Sequence, residues 1–517
     1  MRKNILKNLL VTGLIATIVS SCEKQLEIAP RQSIDAATAL SSRDAIEASI
    51  TGLYARLKNA RQYGRDLITH PEALSDNGFA TNKSGRLLPE ANNVLNAHFT
   101  GTIWSNSYPA INQINLILEA LPSLALTPAI SQTERNKWEG QLYFLRGLYY
   151  FDLMRVYAYI PGAVVSAQDK GGVPLSIQGI STAEAALVYK PSRAPIDAVY
   201  TQIVADLTLA NDKLLNPGLG VSLGNKAAAQ GLLARVNLYI KNYTDAKRWA
   251  DSCIALAGNK LTSASTHVAS WRAATNGESL FQIVFASSGE NIGVNESLQT
   301  SFTTLVTPGN QGTLGGFGDL VPTLSLLTDL GFALNGGMTT VNFGLNHSVA
   351  TRSTDVRNLL FEPGSAGRGN IKVECTKYIG KNGFINLDNV SVIRIAEAYL
   401  IRAEAQVAAG SAVLNAANAL ADLKAIKSRR YTDYTGSAQE TADNAMTAAQ
   451  LFEEIIRQRR IEFAFEGHRF FDLKRLGRDL TKTPHYTTVA FTDIRMLPPI
   501  PQSDVDGNTN LKQNTGY

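Results

Sequence analysis

The chain of 517 residues carries 49 Lys and Arg against 44 Asp and Glu, a formal charge of +5, with 44% hydrophobic and 18% charged residues. This is the composition of an ordinary globular protein with ample material for a large core, and it excludes a disordered chain. Arg2, Lys3 and Lys7 supply the excess: without those three, 46 basic residues face 44 acidic ones, so charge supports neither nucleic-acid binding nor a polybasic membrane surface.

The first element in chain order is apolar. After the basic start, Leu9 to Val19 is interrupted only by Thr12, Gly13 and Thr17, and the small residues Ser20 and Ser21 follow. Residues 1–21 thus have the three parts of a secretory signal peptide, in a run too short to remain as a transmembrane helix. Val19-Ser20-Ser21-Cys22 resembles the lipobox of bacterial lipoproteins. That resemblance places lipidation on Cys22, where each buried acyl methylene contributes roughly 0.8 kcal/mol to anchoring. Only Cys253 and Cys375 remain, so no disulfide framework is implied. Cys253 falls on an apolar helical stripe and reads as a small buried hydrophobe; spacing leaves open whether it meets Cys375.

Residues 22–40 read as a lipid-anchored tether. From 41 to 260 helical spacing dominates, beginning with Ile46, Ile50, Leu53 and Leu57. It returns at Ile111, Ile114, Leu118 and Leu121, with a polar stretch between, roughly 61–102, that reads as a loop. A long helix carries Trp138, Leu142, Leu145, Tyr149, Leu153 and Val156 on one face, and Pro161-Gly162 stops it. Ile196 to Leu214 predicts another, ended at Asn216-Pro217-Gly218. Two stripes, Ala229 to Ile240 and Ala246 to Ile254, are joined by a tight turn and predict a hairpin of tetratricopeptide type.

Between 261 and 387 the character changes. Phe281 to Phe285 predicts a short strand, and the glycines from Gly309 to Gly344 fit a loop-rich insertion. From 388 to 517 helical hairpins resume, with Val392, Ile395, Ala396, Tyr399, Leu400 and Ala403 as one stripe and Val413, Ala416, Leu420 and Leu423 as the next. The fold class is therefore mainly α: tetratricopeptide-like helical hairpins form a frame, and a loop-rich insertion with short strands interrupts it.

Residues 455–477 interleave charge with phenyl rings. Helical spacing pairs Arg459 with Glu462, Glu466 with Arg469 and Asp472 with Arg475. A catalytic Glu-His-Asp reading is set aside, because this alternation reads as a structural network tying two helices together. The block from Arg457 through Glu466-Gly467-His468-Arg469-Phe470-Phe471-Asp472 to Gly477 resembles the signature helix of the SusD/RagB family. Further stretches resemble that family in order: Trp104 to Tyr108, Arg146 to Tyr157 with Gly172 to Leu175, Asp355-Val356-Arg357, Val392 to Ala405, and the closing Gln513 to Tyr517. The family's signature often carries Trp where this chain has Phe470.

The resemblance implies a lipid-anchored nutrient receptor on the exterior face of the outer membrane. It implies a partner TonB-dependent transporter barrel of SusC type, an oligosaccharide or peptide ligand, and no catalysis. Two other readings stand beside it: a secreted glycan-cleaving enzyme, and a lipid-anchored helical-repeat scaffold that binds only proteins. Sugar binding needs flat aromatic faces with amides, carboxylates and guanidinium groups for the hydroxyls. The candidates are Asp76, Asn77 and Phe79 in the first long loop and Trp271, Phe302 and Phe317 in the insertion. No cofactor is expected. The histidines show no zinc spacing, and Asp504 to Asn510 only faintly resembles a calcium loop, with its Gly at the wrong place.

Overall fold

The computed structural model describes residues 40–96, 98–99, 102–128, 130–215, 220–286, 288–381 and 384–517. The signal segment, the lipidation site Cys22, the tether up to residue 39 and the stop at Asn216-Pro217-Gly218 lie outside the described residues.

Helix α1 (Arg43–Leu57) starts where the Ser42 side chain accepts from the Ala45 N–H and buries Ile46, Ile50, Leu53, Tyr54 and Leu57. Helix α2 (Asp66–Leu74), α3 (Thr102–Ala120) and α4 (Gln132–Tyr157) follow. Ser131 caps α4, and from Trp138 onward the helix is buried on almost every side. Helix α5 (Ile196–Lys213) lies along it. Gly147 permits the close approach: a Cβ there would stand 2.8 Å from Leu207 Cδ2. One step away, Arg146 grips Asp206 of α5 through two bonds of 2.8 and 2.6 Å and Asn115 of α3 through one of 2.8 Å. Three helices are thus clamped by one guanidinium.

The predicted hairpin is α6 (Lys226–Tyr239) and α7 (Tyr243–Ala257), with Asn225 and Asn242 as their caps. Before the frame resumes come α8 (Ala264–Arg272) and the insertion. Then α9 (Ile395–Ala405) packs on α7, α10 (Ala416–Lys427) on α9, and α11 (Ala448–Glu462) on both; α12 (Arg469–Arg475) closes the series. The frame is a set of stacked antiparallel hairpins with one core running from Ile46 to Leu511. Cys253 and Cys375 are both buried and unpaired in it.

Among the described residues the strands form four antiparallel pairs: β1 (Gly78–Ala80) with β3 (Leu320–Pro322), β2 (Ser279–Ile283) with β8 (Val390–Arg394), β4 (Phe332–Leu334) with β5 (Val349–Arg352), and β6 (Phe361–Pro363) with β7 (Val373–Cys375). Two sequence readings need correction. Val392 belongs to strand β8, and its helix begins only at Ile395. The stretch 61–102 is not simply loop: it holds α2, every residue of which is buried, and strand β1. Asp66 is buried against Arg65 and Glu72 against the Asn77 amide and the Gly467 N–H, so the apolar periodicity that announces a buried helix is missing.

Candidate ligand-binding face

The charged block at 455–475 fixes the position of the segment around β1. Arg460 on α11 donates to Asn77 Oδ1 at 2.8 Å, to the Asp76 carbonyl at 2.8 Å and to Asp329 at 2.8 Å. Arg469, at the start of α12, holds the Asp76 carboxylate with two bonds of 2.7 and 2.8 Å. Burial alone would push the Asp76 carboxyl up; the guanidinium groups of Arg460 and Arg469 overcome that and hold it at about 2. Asn77 also donates to Glu72 at 2.7 Å. Both residues, expected on a ligand, are placed as struts between the signature helices and β1.

Beyond those struts, β1 pairs Phe79 with Val321. The Phe79 ring, half-buried, stands edge-on to Phe343 with centroids 4.8 Å apart and meets His485 at 5.0 Å and Tyr486 at 5.8 Å. Tyr486 Oη accepts from the Ala80 N–H at 2.9 Å, which seats the 480–489 loop on the strand. His485 Nε2 accepts from the Leu324 N–H at 3.2 Å, so its proton sits on Nδ1. His347 Nδ1 accepts from the Val373 N–H at 2.9 Å, which leaves Nε2–H as a buried donor with no partner among the described residues. Burial, and after it the charge of Lys372, pulls His347 down to about 4; burial alone does the same to His485.

A second aromatic centre adjoins the first. Phe317 is half-buried, with the Arg86 guanidinium carbon 4.5 Å and that of Arg368 3.8 Å from its centroid. Arg86 Nε donates to Asp319 at 3.2 Å while its Nη2 has no partner among the described residues. Arg368 Nε donates to the Gly316 carbonyl at 2.8 Å. Lys83 pairs with Glu374 at 3.3 Å. Lys372 donates to the carbonyls of Phe343 and Leu345, and is drawn down to about 8 by burial and by Lys83. Phe79 lies opposite Val321 in the β1–β3 pair and Phe317 precedes β3 by three residues, while Lys372 reaches the Phe343 ring that meets Phe79.

Trp271 and Phe302 are elsewhere. Trp271 is 1% exposed and Phe302 0%, and both rings stand beside Tyr378 in the core. Neither has a face to offer a ligand. An aromatic in a glycine-rich segment is still the segment's best hydrophobic anchor, and burial wins. Lys83, Arg86, His347, Arg368, Lys372 and His485 were missed; scattered over some 400 residues and in no motif, they carry no local signal, and only the packed loops bring them together.

The Glu462, Glu466 and Asp472 carboxylates are committed to ion pairs. Arg475 does meet Asp472 at 2.8 Å, but Glu466 is bound by Arg394 at 2.8 Å and Lys377 at 2.6 Å rather than by Arg469. Among the described residues no group of three or more His, Cys, Asp or Glu side chains is arranged to hold a metal ion.

A frame of stacked tetratricopeptide-like hairpins carrying an irregular, loop-rich insertion defines a class of helical-repeat scaffold. Residues 372–517 match the model of the SusD family, and residues 25–238 match a second, described as starch-binding and associating with the outer membrane. In its carboxyl-terminal part and its amino-terminal part alike, the chain is thus similar to SusD-type proteins. It is 25% identical over 501 residues to SusD-like protein P2 of Formosa agariphila, covering 91% of this chain and 92% of that one. A SusD superfamily protein from Bacteroides thetaiotaomicron has the same fold at 23% identity with a TM-score of 0.73, covering 91% of this chain and 99% of that one. A laminarin-binding SusD-like protein superposes with a TM-score of 0.64 at 19% identity, covering 92% and 100%.

Proposed function

We propose that this chain is a cell-surface receptor that captures an oligosaccharide on the face between Phe79 and Phe317 and delivers it to a TonB-dependent transporter barrel of SusC type. The observation that carries the reading is the pair of half-buried rings, Phe79 and Phe317, with unpartnered N–H donors of Arg86 and His347 near them. Such rings fit the apolar side of a pyranose, and the donors fit its oxygens. The laminarin-binding relative adds weight to a glycan over a peptide. In this reading Cys22 carries the acyl anchor, the tether through residue 40 spaces the receptor from the outer membrane, and the binding face looks outward. No helix among the described residues is long and apolar enough to cross a membrane.

The reading is non-catalytic. Glycoside hydrolysis needs two carboxyl groups facing the sugar. On this face the two carboxylates, Asp319 and Glu374, are buried and bound by Ser84, Arg86, Thr303, Thr304 and Lys83.

Detergent-solubilised outer membranes test the partnership. A tagged chain is expected to co-purify a TonB-dependent barrel, and a Cys22→Ala variant to leave the membrane fraction. A chain that comes out alone, or a variant that stays membrane-bound, contradicts it.

A further inference from the structure

We propose that the ligand of this face is an acidic glycan, one carrying carboxylate or sulfate groups; the proposal rests on the glycan-receptor reading above and assigns it a substrate class. Four cations belong to the strip: Arg86 and Arg368 lie on the Phe317 ring, and Lys372 lies over the Phe343 ring. Lys83 joins the two ends, three residues from Arg86 on the same loop and paired with Glu374, two residues from Lys372. Arg86 and Lys83 are paired with the carboxylates Asp319 and Glu374, both 1% exposed or less. Arg368 and Lys372 have no carboxylate partner among the described residues: Arg368 Nε donates to one carbonyl and its guanidinium lies on Phe317, and Lys372 donates to two carbonyls and lies over Phe343.

The polar atoms left over have one sign. Arg86 Nη2 and His347 Nε2–H are buried donors without an acceptor among the described residues, and His347 as a whole is 4% exposed. A buried unpaired donor costs about 1–3 kcal/mol, so a ligand that brings acceptors relieves it. Sugar hydroxyls are acceptors too. Net positive charge decides between them: a carboxylate or sulfate gains charge-assisted bonds here that a neutral hydroxyl does not, and a guanidinium fork presents paired N–H groups to a planar carboxylate or to two sulfate oxygens. The rings of Phe79, Tyr486 and Phe317 supply the stacking surface that any glycan needs.

Calorimetry on the full-length purified protein separates the cases, with trigalacturonate as the carboxylate probe, a sulfated carrageenan oligosaccharide as the sulfate probe, and maltotriose and laminaritriose as neutral probes. At least one acidic probe is expected to bind about tenfold or more tighter than either neutral one, the equivalent of about 1.4 kcal/mol. Its affinity should fall as salt shortens the screening length to about 8 Å at physiological ionic strength. Which acidic probe wins identifies the anion. Arg368→Gln, which removes a cation held only by one carbonyl and a ring, should lose that preference with an unchanged melting temperature. Arg86→Gln should follow, though it also strands Asp319. As an independent readout, the acidic probe should raise the His347 and His485 pKa values by NMR titration while neutral probes leave them. Neutral probes binding as tightly as acidic ones, or a preference untouched by Arg368→Gln, would overturn the acidic assignment and leave the receptor reading standing. No binding of any of the four overturns both.

Discussion

Arg430 and Glu462 form a bidentate pair of 2.9 and 3.0 Å with neither side chain exposed. The same carboxylate accepts from Arg394 at 3.1 Å and Arg357 at 3.4 Å, so segments before α9, after α10 and within α11 converge on one residue with the insertion's Asp355-Val356-Arg357. Burial would raise the Glu462 carboxyl, but Arg430 and Arg394 hold it well below its ordinary range. Removing one partner of a buried charge cluster leaves the others uncompensated, at about 3–5 kcal/mol. Glu462→Gln is expected to lower denaturant stability by about that amount, or to prevent folding. A change under about 1 kcal/mol, the value of an exposed pair, contradicts this account.

Stability should respond to acid in two stages. His98 and His468 are drawn down to about 3, by burial first in each case. The unfolded chain takes up these protons near 6.5, so the pair erodes stability as pH falls below that value. Glu72 and Asp388 oppose them: burial raises these to about 7 and about 6, so the folded state holds protons that the unfolded state has released. His267, His347 and His485, drawn down as well, the last two to about 4, add to the loss, so between about pH 6.5 and 4.5 the carboxyls offset only part of it. Lower still, Asp76 and Glu397, both held at about 2 against the effect of burial by neighbouring guanidinium groups, lose their contribution together with Glu462. Urea melts at pH 7, 5 and 3 should show a moderate fall in midpoint from the first to the second and a steeper one to the third.

Gly147 sets the spacing of α4 and α5. Alanine has the higher helix propensity by about 1 kcal/mol, yet its methyl would stand 2.8 Å from Leu207 Cδ2. Overpacking costs about 1–3 kcal/mol. Gly147→Ala is therefore expected to destabilise, and a rise in melting temperature would show that the two helices can separate freely.

Cys253 and Cys375 are fully buried, and burial pushes both thiols up to about 12. A thiol reagent at neutral pH should label neither in the folded protein and both after unfolding. Rapid labelling of the native protein at either cysteine would contradict the packing of α7 or β7.

The frame was legible because its helices obey a simple rule. Trp138, Leu142, Leu145 and Tyr149 repeat at helical spacing, and Ala246, Trp249, Ala250 and Cys253 do so on α7, where one face alone is buried. Helix α2 escaped because Asp66 and Glu72 are buried as charged or hydrogen-bonded groups, which no hydropathy pattern distinguishes from exposed ones. The ion pairs of the signature block were legible in kind but not in partner: local i, i+3 spacing named Arg459 with Glu462, whereas Arg459 meets Asp472 at 3.3 Å across the α11–α12 junction. At the face, composition pointed to Phe79 and Phe317, both half-buried there. It also pointed to Trp271 and Phe302, because ring chemistry says nothing of which side of a loop faces solvent. Arg368 and Lys372 flank a turn, and only the folded insertion sets them beside Lys83 and Arg86.

The most direct measurement is native affinity electrophoresis of the full-length protein through gels containing laminarin, polygalacturonate or carrageenan. The wild type is predicted to be retarded by at least one of them, and a Phe79→Ala/Phe317→Ala double variant with an unchanged melting temperature to run as in a polysaccharide-free gel. A double variant retarded as strongly as the wild type would show that the glycan is held somewhere other than this face.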